Sequence, residues 1–183
     1  NCLFVGNSSQ NINAATHCWP IVTYCTFDGN DTTSQGINIS SYTVLDVGNS
    51  VFKNHTGDGI YGANGELNAT SCMFESNNDN GLELSNTTTE IVNCSIKNSN
   101  TNGIKTASGC NLVLKDSIVR NNGSYGINLV DNTGSTILNN WIYNNDSSGL
   151  YSSNHTVNTL LVRNNTLYGN GTYGIECSEY GAD

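Results

Sequence analysis

The feature that most constrains this chain is a step of glycine followed by an aliphatic residue that returns at nearly constant intervals. It occurs at Gly36-Ile37, Gly59-Ile60, Gly81-Leu82, Gly103-Ile104, Gly126-Ile127, Gly149-Leu150 and Gly174-Ile175, spaced 23, 22, 22, 23, 23 and 25 residues apart. Counting back 25 residues from Gly36 reaches Asn11-Ile12. Asn, like Gly, tolerates a left-handed backbone, so Asn11 is read as an eighth anchor. A repeat of this length is one supersecondary unit that cannot bury its apolar face alone, and the repeat fills nearly all 183 residues. One domain covering residues 1–183 is expected.

Residues at the same offset from each anchor occupy equivalent places in a stacked repeat. Immediately after the anchor stand Ile12, Ile37, Ile60, Leu82, Ile104, Ile127, Leu150 and Ile175. Seven before it stand Phe4, Phe27, Phe52, Phe74, Ile96, Val119, Ile142 and Leu167, the second copy being two residues longer here. Twelve before it stand Val22, Val47, Ala69, Ile91, Leu114, Ile137 and Val162. The inward positions come in pairs two apart, which is strand periodicity, and no stretch carries helical spacing. The pattern predicts an all-β fold with three short strands per repeat, each pairing in parallel with its equivalents above and below.

These columns resemble the right-handed parallel β-helix repeats of pectate-lyase-like proteins and of many surface β-helix proteins. The resemblance covers about residues 1–177 and implies a single-stranded right-handed solenoid of about eight rungs, each of 22–25 residues. At roughly 4.8 Å per rung the cylinder would be about 38 Å tall. Handedness follows from the resemblance. The chain opens in a third strand and stops after a first strand, so uncapped ends are expected, and with them end-to-end or lateral self-association.

Composition narrows the function. Fifteen acidic against six basic residues give a net charge of −9, which excludes the basic patches that nucleic acid or anionic membranes need. No run approaches the length of a membrane span, and a mature or trimmed chain is the expected form. Charged residues are only 11%, the polar load falling on Asn, Ser and Thr.

A small polar column lies nine residues before each anchor: Cys2, Cys25, Ser50, Cys72, Cys94, Ser117, Asn140 and Asn165. It reads as an inward ladder at a bend. Adjacent rungs also bring Cα atoms within disulfide range, which makes Cys2 with Cys25 and Cys72 with Cys94 candidate disulfides. Cys18, Cys110 and Cys177 fall in other columns, and their pairing is not legible. N-x-S/T sequons stand at Asn7, Asn30, Asn38, Asn54, Asn68, Asn86, Asn93, Asn122, Asn145, Asn154, Asn164 and Asn170, where this composition would supply about seven by chance. Asn7, Asn30, Asn122, Asn145 and Asn170 recur in one turn, with Asn54 a residue away, which reads as glycosylation of an exposed corner. The alternative is that Asn serves the turns themselves.

No acid–base or metal constellation is visible along the columns, and no cofactor is expected. Asp28, Lys53, Glu75, Lys97, Arg120, Tyr143 and Tyr168 form one outward column whose alternating charge suits a solvated strand face, and Glu83 beside Lys105 reads the same way. His17, His55 and His155 sit in turns, and the Asp-rich turn 77–80 lacks a repeated calcium-ligand spacing. The paired-Asp plus Gly-His-Gly pattern of polygalacturonases and the Arg-x-Pro-x-x-Arg pattern of pectate lyases are missing. Trp141, Tyr143 and Tyr168 point outward on consecutive rungs and form a candidate carbohydrate or partner platform. Val92, Val113, Leu138 and Leu161 leave apolar surface outward on another face. The expectation is an extracellular or cell-surface, N-glycosylated, non-enzymatic structural or adhesive protein able to stack into filaments. The alternative is a polysaccharide-binding or polysaccharide-degrading module using Trp141, Tyr143 and Tyr168.

Overall fold

The computed structural model describes residues 1–32, 34–131, 134–153 and 160–178. Asn154 and His155 lie outside the described residues. Within these residues the chain forms 23 strands and no helix. They gather into three parallel sheets of eight, eight and seven strands, each strand pairing with its equivalent one repeat away, so the chain winds as a β-solenoid.

The anchor sheet contains the strands that follow each anchor, among them Ile60–Ala63, Leu82–Ser85 and Ile104–Ala107. The aromatic sheet runs from Leu3–Val5 through Val51–Lys53 and Trp141–Tyr143 to Thr166–Tyr168. The third sheet runs from Ile21–Thr23 through Glu66–Thr70 to Leu160–Arg163. The registers match the columns residue for residue, for example Phe74 with Phe52 and Ile96, and Leu82 with Ile60 and Ile104.

The core follows from that register. Ile37, Ile60, Leu82, Ile104, Ile127 and Leu150 are wholly buried, as are Phe27, Phe52 and Phe74. In-register stacking sets the rings of Phe4, Phe27, Phe52 and Phe74 face to face with centroids 4.7, 4.7 and 5.0 Å apart. Such a column supplies both apolar burial and an additional aromatic term of about 1 kcal/mol per pair.

The glycine anchors are needed for a reason other than backbone freedom. Neither they nor Asn11 adopt positive φ. A Cβ on Gly81 would stand 2.6 Å from the Gly103 carbonyl oxygen, and one on Gly103 the same distance from that of Gly126, so the anchor lets consecutive rungs approach.

Left-handed residues sit at the corners instead. Tyr24, Asn49, Ser71, Asn93, Asp116, Asn139 and Asn164 share one corner, and Asn54, Ser76, Asn98, Asn121 and Asn144 another, all with φ between 51° and 58°. The residue following each of these corners turns inward, which accounts for the Asn-Asn pairs 121–122, 139–140, 144–145 and 164–165. The first Asn bends the chain and the second enters an internal ladder.

Each ladder satisfies backbone groups that the sheets leave free at the bends. The Cys94 amide donates to Ser117 Oγ (3.0 Å), Ser117 to Asn140 Oδ1 (2.9 Å) and Asn140 to Asn165 Oδ1 (2.8 Å). Cysteine works here as a sulfur analogue of serine. The Cys72 amide donates to Cys94 Sγ at 3.3 Å, and the Cys94 thiol donates to Val92 O just as Ser117 Oγ donates to Lys115 O. The expected disulfides are therefore corrected: Cys2, Cys25, Cys72 and Cys94 are free thiols, as are Cys18, Cys110 and Cys177. In-register stacking points neighbouring thiols the same way, and the hydrogen-bond ladder holds them there.

The second ladder corrects the sequon reading. Asn122 and Asn145 are buried, with Asn122 Nδ2 donating to Asn145 Oδ1 (2.8 Å) and Asn145 Nδ2 to Asn170 Oδ1 (3.0 Å). Asn170 Nδ2 donates in turn to Ile142 O (3.1 Å). These three amide nitrogens face the interior, where no glycan fits. Asn7, Asn30, Asn86, Asn93 and Asn164 are exposed, whereas Asn38, Asn54 and Asn68 are half-buried, with amides bonded to Asn13, Asp28 and Asp46.

Candidate functional site

A third ladder, one residue before each anchor, runs in the opposite direction and ends on a carboxylate. The Tyr125 amide donates to Asn102 Oδ1 (3.3 Å). Asn102 donates to Asn80 Oδ1 through its backbone (3.2 Å) and its side chain (2.9 Å), and Asn80 donates twice to Asp58 Oδ1, both at 3.0 Å. Asp58 thus stands where the next rung of the pattern would place another amide.

Asp58 is only 4% exposed, and Asp79 and Glu83 join it to bring three carboxylates within 4.8 Å of one another. Asp79 comes from the turn before the anchor Gly81, and Glu83 from the outward face of the strand after it. Glu83 Oε2 accepts from Asn80 Nδ2 (2.9 Å), Glu83 Oε1 pairs with Lys105 Nζ (3.1 Å), and Asp79 Oδ1 accepts from Thr101 Oγ1 (2.8 Å). Tyr61 is the cross-strand neighbour of Glu83.

Burial raises the Asp58 pKa to about 6; the Asn80 hydrogen bonds lower it, and the charges of Asp79 and Glu83 raise it further. The cluster therefore holds a carboxyl that exchanges a proton near neutrality beside two more accessible carboxylates. Such a pairing can serve general acid–base chemistry. Oxygen donors in this grouping also suit a hard divalent cation, although the Lys105 ammonium already occupies one side of Glu83.

Column reading missed this site because its members occupy three different columns on two rungs. The available signal was local: Asp58, Asp79 and Glu83 lie within two residues of the anchors Gly59 and Gly81, so stacking was bound to bring them together.

The other expected sites fall apart from the cluster. Trp141 and Tyr168 are exposed, but Tyr143 and Tyr168 stack on each other at 4.8 Å and 5°, so their shared faces are closed to any ligand. The indole meets Tyr168 edge-on at 83°, and the Arg120 guanidinium lies 6.0 Å from the Tyr143 centroid. The three rings therefore form one contiguous group in which the Tyr143–Tyr168 stack covers one face of each ring, while Trp141 and Tyr168 stay exposed.

His55 is buried. Asn77 Oδ1 accepts from both its amide (3.3 Å) and its Nδ1 (2.9 Å), which leaves Nε2 to accept from Asn11 Nδ2 (3.3 Å). Burial holds its pKa below the usual histidine value. It is a structural, neutral histidine.

The charged columns carry ion pairs. Lys53 pairs with Asp28 (3.2 Å), Lys97 with Glu75 (2.9 Å) and Lys115 with Glu90 (2.9 Å). Among the described residues, no helix is long and apolar enough to cross a membrane.

Comparison with known proteins agrees with this architecture. The periplasmic alginate epimerase AlgG, crystallised as its T265N mutant, superimposes with a TM-score of 0.69 at 15% identity over 92% of this chain and 47% of that one. Pectate lyase Pel9A superimposes with a TM-score of 0.50 at 12% identity over 93% of this chain and 51% of that one. At these identities the likeness is one of fold, and the chain spans about half the length of both structures. No curated protein matches the sequence. The family model described as "Right handed beta helix region" matches residues 35–183, which include every residue of the carboxylate cluster, and the chain belongs to that family.

Proposed function

We propose that the protein acts on a polysaccharide laid over the outer face of the anchor sheet, with Asp58, Asp79 and Glu83 as its working carboxylates. The observation that carries this reading is the gathering of the three within 4.8 Å, one of them titrating at about 6. Similar folds in an alginate epimerase and a pectate lyase support it. The expectation of a structural protein rested on the uncapped ends, the sequons and the lack of an acid–base constellation along the columns, and the three carboxylates gathered across the columns weigh against the last of these. In this reading Asp58 is the proton reservoir, and Asp79 and Glu83 are the carboxylates that meet the sugar beside it. A location outside the cytoplasm, where such polymers occur, belongs to the same proposal.

The test is a panel of polysaccharides incubated with the wild type, Asp58→Asn and Glu83→Gln, scored for binding and for new reducing or unsaturated ends. Turnover of at least one polymer, reduced roughly 100-fold or more in each variant, is the expected result. Failure to bind or convert any polymer would overturn the proposal.

A further inference from the structure

The carboxylate cluster sits at the start of the anchor-sheet strands Ile60–Ala63 and Leu82–Ser85. A cleft of about 310 Å³ opens at their other end, at the corner leading to the third sheet, within the size range of small-ligand sites. Its lining includes Tyr42, Asn64, Glu66, Asn86, Thr88 and Gly109. From Glu83 to Asn86 is three residues of extended chain, about 10 Å. Cluster and cleft therefore share two rungs.

The lining has a distinct chemistry. It contains no lysine or arginine, and its one charged group is Glu66, which commits an oxygen to Asn68 Nδ2 (3.1 Å). The remaining polar groups are neutral. Asn86 Nδ2 donates to Asn64 Oδ1 (2.8 Å), and a Cβ at residue 109 would stand 3.1 Å from Asn86 Oδ1, so Gly109 keeps that oxygen uncovered. Tyr42 is 72% exposed, and its backbone is held at φ 63°, a conformation costly for an aromatic residue. His17 flanks the ring at 5.5 Å.

An open aromatic ring beside neutral donors and acceptors suits a sugar ring, whose C–H face packs on the phenol while its hydroxyls meet amides and Thr88. The charge distribution adds a second constraint. The chain carries −9, and each of its lysines, Lys53, Lys97, Lys105 and Lys115, is already paired with a carboxylate. A polyanion crossing Asp79, Glu83 and Glu66 would meet like charge with no free lysine to offset it.

We infer that the corner cleft is a subsite for an uncharged sugar unit, and that the polymer handled by the carboxylate cluster is a neutral glycan. This rests on the function proposed above. A glycan chain running along the two strands reaches from the cluster to the cleft, so the cleft selects for ligand length as well as charge.

The test is calorimetric titration of the intact protein with neutral oligosaccharides, from disaccharides upward, and with oligouronates. Wild type is compared with Tyr42→Ala and Glu66→Gln, each first checked for unchanged thermal unfolding; Glu66→Gln serves as the fold-preserving alternative to the ring deletion. Neutral oligomers are expected to bind more tightly than oligouronates. Tyr42→Ala should weaken the longer neutral oligomers about tenfold while leaving disaccharides unaffected. Preferred binding of oligouronates would overturn the neutral-glycan assignment. Equal affinity of wild type and both variants for long oligomers would overturn the cleft while leaving the carboxylate site standing. Absence of binding to any oligosaccharide would remove the proposed function itself.

Discussion

Replacing Asp58 by Asn should stabilise the protein above neutral pH and do almost nothing in mild acid. The ladder explains why: Asn at this position continues the pattern of Asn80 and Asn102, with its Oδ1 available for the two Asn80 bonds that Asp58 Oδ1 now accepts. The wild-type carboxyl has a value of 3.8 when unperturbed and about 6 when folded. A carboxyl with a raised folded pKa holds its proton more tightly in the fold. Below about pH 4 it is protonated in both states and costs nothing. Between 4 and 6 the folded chain retains a proton that the unfolded chain has released, and stability falls as pH rises. Above 6 the fold must carry a buried anion. Two pKa units correspond to about 3 kcal/mol as a ceiling, and local relaxation brings the working expectation to about 1.5 kcal/mol. The measurement is urea unfolding of wild type and Asp58→Asn at several pH values, followed by the fluorescence of Trp19 and Trp141. Subtracting one protein from the other cancels titrating groups that do not act on Asp58, such as His55. The difference should be near zero at pH 4, favour Asn increasingly through pH 6, and level off above pH 7. A difference independent of pH would refute the assignment of a buried, titrating Asp58, and a difference of opposite sign would show that the anion is the form the fold prefers.

Two further outcomes follow from the ladders. Asn140→Ala removes the acceptor of the Ser117 amide and the donor to Leu114 O, both at buried positions, and should cost about 2–4 kcal/mol in denaturant unfolding, while Asn140→Ser, a residue type native to that column, should cost less. His55 is held neutral in the fold, so its contribution to stability is present at neutral pH and is lost as pH falls below the unfolded value of 6.5. His55→Gln should therefore flatten the acid side of the unfolding-midpoint profile relative to wild type.

The fold was legible because its information is periodic. The Phe4–Phe27–Phe52–Phe74 column and the aliphatic column after each anchor pin the register independently, and a slip of one residue would turn both outward. The site was not legible by the same means, since Asp58, Asp79 and Glu83 each look unremarkable within their own columns and meet only where neighbouring rungs touch. The sequons misled for a related reason. Asn121 and Asn122 are the same residue type, yet one is a left-handed bend facing water and the other an internal hydrogen-bonding rung, a difference set by backbone φ that no sequon records. Tyr143 and Tyr168 lie outward as read, but an outward column places rings one above another along the solenoid axis, so one face of each is taken up by the other.

The steps on either side of Gly81 are the shortest in the chain, 22 residues each, and they flank the carboxylate cluster. A rung of minimal length has no residues left over for an overhanging loop, so nothing from these two turns roofs the cluster. Under the proposed function, a polymer is then laid down sideways at any point along its length, without threading a free end through a tunnel. The economy of the repeat at this one place would favour engagement in the middle of long chains over nibbling from their tips.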